Sequence, residues 1–143
     1  MIINVDETQL KSLTKLALQL WPENNFDTLA AEFQLLLRDK NAACFLFIKD
    51  EALGFAQCQL RHDYVEGTDS SPVGYLEGIF VAEAARGQGI AGKLLQACQS
   101  WAKEKGCREF ASDCTLDNQL SQRFHLRHGF IEANRIICFT KKL

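Results

Sequence analysis

The sequence predicts an α/β fold, with a mixed central sheet, formed by a single domain that spans residues 1–143. Two stretches carry this prediction. Residues 44–60 read as two apolar strands joined by a polar turn, which is the pattern of an antiparallel hairpin. Residues 75–114 follow the order strand, helix, strand, which places two parallel strands in one sheet. The whole chain reads β-α-α-β-β-β-α-β-α-β.

The N-terminal part is predicted to form one strand and two helices. Residues 2–5 are a short apolar strand, and Asp6 with Gln9 has the spacing of a capping box. Leucines at helical spacing predict a first helix that ends at Trp21, which a proline follows. Asp27 is predicted to cap the second helix, because a short acidic side chain there can accept hydrogen bonds from the first free amides.

The middle of the chain is predicted to be mostly β. Residues 44–48 and 53–60 form the hairpin, and residues 75–81 form a further apolar strand. The polar segment 61–74 lies between them, and connections of that length are often functional.

The C-terminal part is predicted to alternate helix and strand. An apolar stripe over residues 90–102 predicts a helix, for which Gly106 is the expected C′ residue. Residues 109–114 are predicted as a strand, residues 117–127 as a helix, and residues 136–140 as the last strand.

Composition and charge exclude several classes of function. The net charge is −2 and no basic run is present, which argues against a nucleic-acid partner. No apolar run is long enough to span a membrane and the N-terminus lacks a signal-peptide pattern, so we expect a cytoplasmic protein without a membrane partner. The six cysteines show neither a C-x-x-C pair nor zinc-site spacing, so we expect reduced, mostly buried thiols and no metal.

A glycine-rich loop precedes the longest predicted helix, and free amides at a helix N-terminus bind phosphates. Gly87, Gly89 and Gly92 match the dinucleotide fingerprint G-x-G-x-x-G, with Asp113 at a suitable distance. Only about thirty residues follow Asp113, which is too few for the parallel strands that a dinucleotide fold requires. The loop also fits G-x-x-x-x-G-K of a P-loop, but Leu94 stands where that motif needs Ser or Thr.

A third pattern fits both the loop and its surroundings. Arg86-x-x-Gly89-x-Ala91 resembles the pyrophosphate loop of the GCN5-related N-acetyltransferases, and the element order resembles that superfamily over nearly the full chain. The segment from Asn118 to Gly129-Phe130 resembles its second signature helix. From about Leu20 onward, the chain also resembles the bacterial aminoglycoside 6′-N-acetyltransferases, through the blocks Ser-Ser-Pro-Val at 70–73, Leu-Glu-Gly-Ile at 76–79 and Ala-Ser-Asp at 111–113.

This resemblance implies a central mixed sheet flanked by helices and an acetyl-CoA-dependent enzyme, commonly a homodimer, that needs no metal. Loop amides would hold the pyrophosphate, the strand before the loop would pair with the pantetheine arm, and a backbone N–H there would bind the oxyanion. Asn118 would hydrogen-bond the pantetheine, or it only caps its helix. The acetyl-CoA-binding residues implied in this way are Ile79, Phe80, Val81, Arg86, Gly87, Gln88, Gly89, Ile90, Ala91, Gly92 and Asn118.

Two acids are the main catalytic candidates, because the acceptor amine is normally protonated and carboxylates attract it and can take its proton. Glu77 lies in an otherwise apolar strand, and Asp113 occupies a comparable place on the next one. A buried carboxylate is costly unless it is paired, so each acid either faces the site or pairs with an arginine. The candidate arginines are Arg61, Arg108 and Arg135.

The acceptor cleft is expected to hold a small cationic amine. Its candidate lining residues are Trp21, Asn24, Tyr64, Glu77, Asp113 and Asn134, and each of the two aromatic rings either packs on a sugar or is an ordinary core residue. His125 stands where many members of the superfamily have a tyrosine that protonates the thiolate, although a helix-surface histidine is the simpler interpretation.

These residues give one leading hypothesis and two alternatives. We expect N-acetylation of the 6′-amine of aminoglycosides, by direct attack of the amine on acetyl-CoA. The alternatives are acetylation of another small amine or polyamine, and a non-catalytic acyl-CoA-binding module.

Overall fold

Five strands form one sheet in the order β1-β2-β3-β4-β5 in the computed structural model, which describes all 143 residues. Strands β1 to β4 pair antiparallel with their neighbours, and β4 pairs parallel with β5. This confirms the predicted mixed α/β sheet. The elements are β1 (Ile2–Asn4), α1 (Leu10–Leu20), α2 (Phe26–Leu36), β2 (Ala42–Lys49), β3 (Glu51–Arg61), β4 (Val73–Val81), α3 (Ile90–Glu104), β5 (Phe110–Ala111) and α4 (Gln119–Arg127), with single 3₁₀ turns at Glu7–Gln9 and Glu83–Ala85.

The sheet carries an apolar core on each face. Helices α1 and α2 cover one face, where Leu13 packs with Phe55, and α3 covers the other, where Leu94 packs with Ala56. The two faces separate because successive side chains of a strand point to opposite sides. Leu13 and Leu94 are fully buried, and burial of a leucine contributes about 1.5–3 kcal/mol to stability. None of the helices combines the length and the apolar character needed to cross a membrane.

Local capping sets where the first two helices begin. The predicted capping box is confirmed: the Asp6 carboxylate accepts from the Thr8 amide and the Gln9 side chain accepts from the Asp6 amide, just before α1. The predicted cap of α2 is wrong, because Asn25 and not Asp27 accepts from the Thr28 amide at 2.9 Å. Asp27 lies in the first turn of α2, where its negative charge favours the helix N-terminus.

A bulge in β4 shapes the functional end of the sheet. Gln57 of β3 pairs with Gly78 while Cys58 pairs with Leu76, so Glu77 is one extra residue on β4. The extra residue breaks the alternation of side-chain directions along β4, so the Glu77 side chain and the Cβ direction of Gly78 both face α1 and α2. The contacts of Gly78 with Trp21 and of Glu77 with Arg61 establish this orientation.

The C-terminal strands differ most from the sequence prediction. The predicted strand 109–114 is reduced to Phe110–Ala111, and the predicted strand 136–140 is wrong because residues 131–143 form no regular secondary structure. All of these thirteen tail residues, 131–143, are exposed, including Ile136, Ile137 and Phe139. Alternating apolar residues form a strand only where another backbone pairs with them, and no strand of this chain lies beside the tail.

Candidate active site

The glycine-rich loop has the backbone conformation that the sequence analysis required. Gly87 and Gly89 have φ of 80° and 78°, and Gly89 is the N-cap of α3. A Cβ at either glycine would meet no atom within 4 Å, so these positions need glycine for their left-handed conformation and not for close packing. The first amides of α3, at Ile90, Ala91 and Gly92, have no partner within the helix and form a potential anion site.

Two other members of the predicted acetyl-CoA set have structural contacts of their own. The Arg86 Nε donates to the Val81 carbonyl at 2.9 Å, so this side chain ties the loop to the end of β4. A Cβ at Gly92 would lie 2.9 Å from His128 Cε1, so Gly92 lets the C-terminal end of α4 approach α3. Neither contact occupies the backbone amides of the loop, and the side chains of Gln88 and Ile90 are exposed and buried, respectively.

Strand β4 has a free edge beyond the point where β5 leaves it. The parallel ladder holds only two pairs, Gly74 with Phe110 and Tyr75 with Ala111. From Leu76 to the end of β4, which includes Ile79, Phe80 and Val81, this edge has no strand neighbour. An extended ligand can pair with such an edge, as a peptide does in β-augmentation.

Glu77 is held by an arginine that the sequence analysis considered only as a structural alternative. The Arg61 Nε and Nη2 lie 3.2 and 3.0 Å from the Glu77 Oε1, and Nη2 also lies 3.1 Å from Oε2. The guanidinium stacks on Tyr75, with its Cζ 3.4 Å from the ring centroid. Arg61 and Tyr75 were missed as site residues, although strand alternation from Arg61 back to Gln57 and the β3–β4 register could have indicated their shared face.

Asp113 joins the same group of side chains through Tyr75. The buried Tyr75 hydroxyl donates a hydrogen bond to the Asp113 carboxylate, and this link crosses from β4 to the residues that follow β5. Burial raises the pKa of Tyr75, and the neighbouring Asp113 carboxylate raises it further, so the phenol remains a hydrogen-bond donor. The structure therefore brings Glu77 and Asp113 into one network, as expected from adjacent strands.

Trp21 and Asn24 lie together beside this network. A Cβ at Gly78 would lie 2.7 Å from Trp21 Cζ2, so the indole rests directly on the bulge of β4. The Asn24 Nδ2 is 3.4 Å from the Trp21 carbonyl oxygen. Both residues line an open cavity of about 320 Å³, together with Glu23, Leu29, Glu32, Phe33, Leu36 and Gln57.

Tyr64 and Asn134 form a second group on the long loop after β3. The Tyr64 hydroxyl donates to Glu66 at 2.7 Å, and the Asn134 amide donates to the same carboxylate at 3.1 Å. Tyr64 is 79% exposed, so its ring is free to contact a ligand and is not part of the core. Hydrogen bonds from Tyr64 and then from Asn134 lower the pKa of Glu66, which keeps this group anionic.

His125 is tied into α4 and to the residue before Asp113. Its Nδ1 lies 2.6 Å from the Ser121 carbonyl oxygen, which can only accept, so Nδ1 carries a proton. Its Nε2 lies 2.8 Å from the Ser112 Oγ, which can donate to it. Asn118 caps this helix by accepting from the Ser121 amide at 3.1 Å, which is the structural alternative considered for that residue.

Side chains that could bind a metal ion do not cluster in this structure. No group of three or more His, Cys, Asp or Glu side chains is placed to hold a metal ion. All six cysteines are free, and Cys44, Cys58, Cys98 and Cys107 are buried. Burial raises the pKa of the Cys44 thiol, so this group behaves as a small apolar side chain.

Comparison with known proteins gives one consistent result. Residues 9–130 match the model of the acetyltransferase (GNAT) family. The chain is 42% identical to aminoglycoside N(6′)-acetyltransferase type 1 of Salmonella enteritidis, over 99% of this chain and 98% of that protein. It is 39% identical to the enzyme of the same name from Serratia marcescens, over 100% of this chain and 99% of that protein.

Solved structures agree with the sequence relatives. The aminoglycoside acetyltransferase AAC(6′)-Iy, in complex with the bisubstrate analogue CoA-S-monomethyl-acetylneamine, matches with a TM-score of 0.96 and 42% identity, over 100% of this chain and 98% of that chain. The apo structure of AAC(6′)-Ig from Acinetobacter haemolyticus matches with a TM-score of 0.95 and 38% identity, over 100% and 99%.

Proposed function

Because the chain belongs to the GNAT acetyltransferase family, we propose that it transfers the acetyl group of acetyl-CoA to the 6′-amine of aminoglycosides. The observation that carries the proposal is the free edge of β4, which runs between the Glu77–Asp113 network and the free amides of α3. The relatives named as aminoglycoside 6′-N-acetyltransferases match over nearly their whole length, which supports the same substrate class here.

Acetyl-CoA brings an acyl group activated as a thioester, and the chain binds and orients it. The amides from Gln88 to Gly92 hold the pyrophosphate at the positive end of the α3 dipole. The backbone of Ile79, Phe80 and Val81 pairs with the pantetheine arm along the open edge, and a backbone N–H there binds the oxyanion. The Asn118 Nδ2, which the helix cap leaves without a partner, donates a further hydrogen bond from the start of α4.

Glu77 and Asp113 serve the acceptor. Their charges attract a cationic amine to the open edge of β4, and they provide oxygen atoms that accept its protons directly or through water. The nitrogen lone pair attacks the carbonyl carbon, the C–S bond breaks, and its electron pair goes to sulfur. A thiol has a pKa of roughly 8.5, so the thiolate leaves readily, and His125 can return a proton through the Ser112 hydroxyl when Nε2 as well as Nδ1 carries one.

The sugar rings of the acceptor bind on both sides of the Glu77–Asp113 network. Trp21 and Asn24 offer an indole face and an amide beside the cavity, and Tyr64 and Asn134 offer a second aromatic face on the loop after β3. Acetylation turns a cationic amine into a neutral amide, which removes one charge from an aminoglycoside and accounts for a role in antibiotic resistance.

We further propose that the protein is a homodimer. The tail at 131–143 exposes Ile131, Ile136, Ile137 and Phe139, although its sequence is that of a strand. A second copy would supply the missing backbone partner and cover these side chains, because β5 is a short edge strand. Light scattering after size exclusion should show a dimer, and Ile137→Asp should yield monomer; a monomeric wild-type chain would contradict the proposal.

Two further proposals concern the domain organisation and the location of the protein. We propose that residues 1–143 form one domain, since the cores on both faces share the same sheet. We propose a cytoplasmic location because the buried cysteines are free thiols, as is typical of reducing compartments.

The test is an acetyl-transfer assay with a panel of aminoglycosides and natural polyamines. The proposal expects a monoacetylated product from aminoglycosides with a 6′-amine, and far better turnover on them than on polyamines. CoA binding without turnover on any amine would instead indicate a non-catalytic module.

A further inference from the structure

The ion pair between Arg61 and Glu77 differs from the other two ion pairs of the chain. Its side chains are 38% and 20% exposed, whereas those of Arg38–Glu7 are 62% and 55% exposed and those of Arg135–Glu132 are 64% and 54% exposed. It is therefore the least exposed of the three pairs, and salt screens its charges less than those of the other two.

Arg61 is fixed in place by several contacts at once. Three hydrogen bonds join it to both oxygens of Glu77, and its guanidinium lies flat on the Tyr75 ring. Tyr75 is 7% exposed and is itself held by Asp113, so the surface beneath the guanidinium is rigid. A side chain held in this way stays beside Glu77 when a ligand arrives.

A carboxylate alone has opposite effects on binding and on reaction of an amine. Its negative charge attracts the ammonium form, but the same charge stabilises the proton on nitrogen, and a protonated amine has no lone pair for attack. An opposite charge within about 4–6 Å shifts a pKa by roughly 1–3 units, and a like charge shifts it in the other direction. A guanidinium beside the carboxylate offsets this stabilisation.

We propose, on the premise of the acetyl transfer argued above, that Arg61 is a fixed counter-ion of Glu77 which keeps the acceptor amine in its uncharged, nucleophilic form. Before attack, the bound R–NH₃⁺ releases one proton to water. The lone pair then forms the N–C bond, the C–S electron pair goes to sulfur, and the second proton leaves nitrogen afterwards. Arg61 acts on the first of these equilibria and is a positioning residue.

Other ionisable groups face this pair from the neighbouring elements. Tyr75 on β4 and Asp113 after β5 lie beneath and beside it, and Glu23 lines the adjacent cavity from the α1–α2 loop. The exposed loop after β3 carries His62, Asp63, Glu66 and Asp69. Among all of these groups, Arg61 is the one cation that pairs with Glu77.

The experiment compares Arg61→Gln, Arg61→Lys and the control Arg38→Gln, which removes an exposed ion pair whose residues do not line the cavity. The pH dependence of kcat reports ionisation in the enzyme–substrate complex. In Arg61→Gln, the limb on which kcat rises with pH should shift to higher pH by at least about one pH unit, so that kcat at neutral pH falls about tenfold. KM for the acceptor should fall, because the site binds ammonium more tightly.

The other variants show whether the effect passes through Glu77. Arg61→Lys keeps the charge and should keep the wild-type limb, and Arg38→Gln should change nothing. Adding Glu77→Gln to Arg61→Gln should return the limb toward its wild-type pH, because both charges are then absent. Arg61→Met, which retains a long aliphatic stem over Tyr75, answers the same question if the glutamine variant does not fold.

Three results would overturn the inference. A raised KM with an unmoved limb would show that Arg61 only supports the structure. A lowered KM with an unchanged or higher kcat would show that the arriving amine displaces Arg61. A limb that moves equally in Arg38→Gln would show a general charge effect. Failure of the proposed function would look different, because wild-type protein would then acetylate no aminoglycoside.

Discussion

Gly78→Ala should damage acceptor binding specifically, through Trp21. The new Cβ would lie 2.7 and 2.8 Å from Trp21 Cζ2 and Cη2. Ordinary carbon contacts are about 3.5–4.0 Å, so the indole must retreat by about 1 Å. Phe55 packs against the indole with ring centroids 5.8 Å apart, so the ring moves toward the acceptor cavity.

The expected magnitude follows from that displacement. Overpacking of this kind costs about 1–3 kcal/mol of stability, and a 1 Å misplacement of a site residue can cost about 10²-fold in rate. We therefore expect kcat/KM for the aminoglycoside to fall by about 10- to 100-fold. Binding of CoA, measured by calorimetry, should be unchanged because Trp21 packs on the face of the sheet opposite α3, whose N-terminus carries the glycine-rich loop.

Gly74→Ala is the matched control on the same strand. Its Cβ would lie 2.6 Å from Ala102 Cβ and 2.6 Å from Phe110 Cδ1, which belong to the opposite face of the sheet. Steady-state kinetics and thermal melts should show a similar loss of stability in both variants, but a loss of acceptor kcat/KM only in Gly78→Ala. Equal kinetic losses in the two variants would refute the reasoning. Trp21→Phe in the Gly78→Ala background should restore part of the activity, because it removes the two clashing atoms.

Three further outcomes are expected. Gly89→Ala forces alanine into a left-handed backbone, which costs about 1–2 kcal/mol, and KM for acetyl-CoA should rise in steady-state assays. The control Gly106→Ala, with φ of 90° and equally open surroundings, should lose similar stability in thermal melts and leave KM for acetyl-CoA unchanged. Tyr75→Phe keeps the ring under Arg61 but removes the hydrogen bond to Asp113, so kcat should fall with little change in melting temperature, and an unchanged kcat would remove Asp113 from the mechanism. His125→Asn should slow acetyl transfer most at low pH, where an imidazole holds two protons and can give one to the thiolate, and a pH-independent effect would assign His125 to structure only.

The elements with a strong local signal could be predicted from the sequence. The capping box at Asp6, the β2–β3 hairpin and the glycine loop before α3 each depend on neighbouring residues, and all are present. The strand predicted at 136–140 also has a local signal, but a strand needs a backbone partner that local pattern cannot supply.

The candidate site shows the same division. Glu77 could be selected because a carboxylate in an apolar strand needs a reason to be there, whereas Asp113 was selected on a predicted strand that in the structure ends at Ala111. Their connection through Arg61 and Tyr75 could not, because it depends on a bulge of one residue that turns Glu77 and Gly78 to the same face. Trp21 could be named from its neighbours, but its place on Gly78 follows only from the packing of α1 on the sheet.

One measurement tests the central claim most directly. Purified protein is incubated with acetyl-CoA and a kanamycin-type aminoglycoside with a 6′-amine, and the product is examined by mass spectrometry and NMR, beside an aminoglycoside with a 6′-hydroxyl as control. The account predicts a single added acetyl group on the 6′-nitrogen and no product from the 6′-hydroxyl compound. Folded, CoA-binding protein that acetylates no 6′-amino aminoglycoside, or that acetylates a different nitrogen, would contradict it.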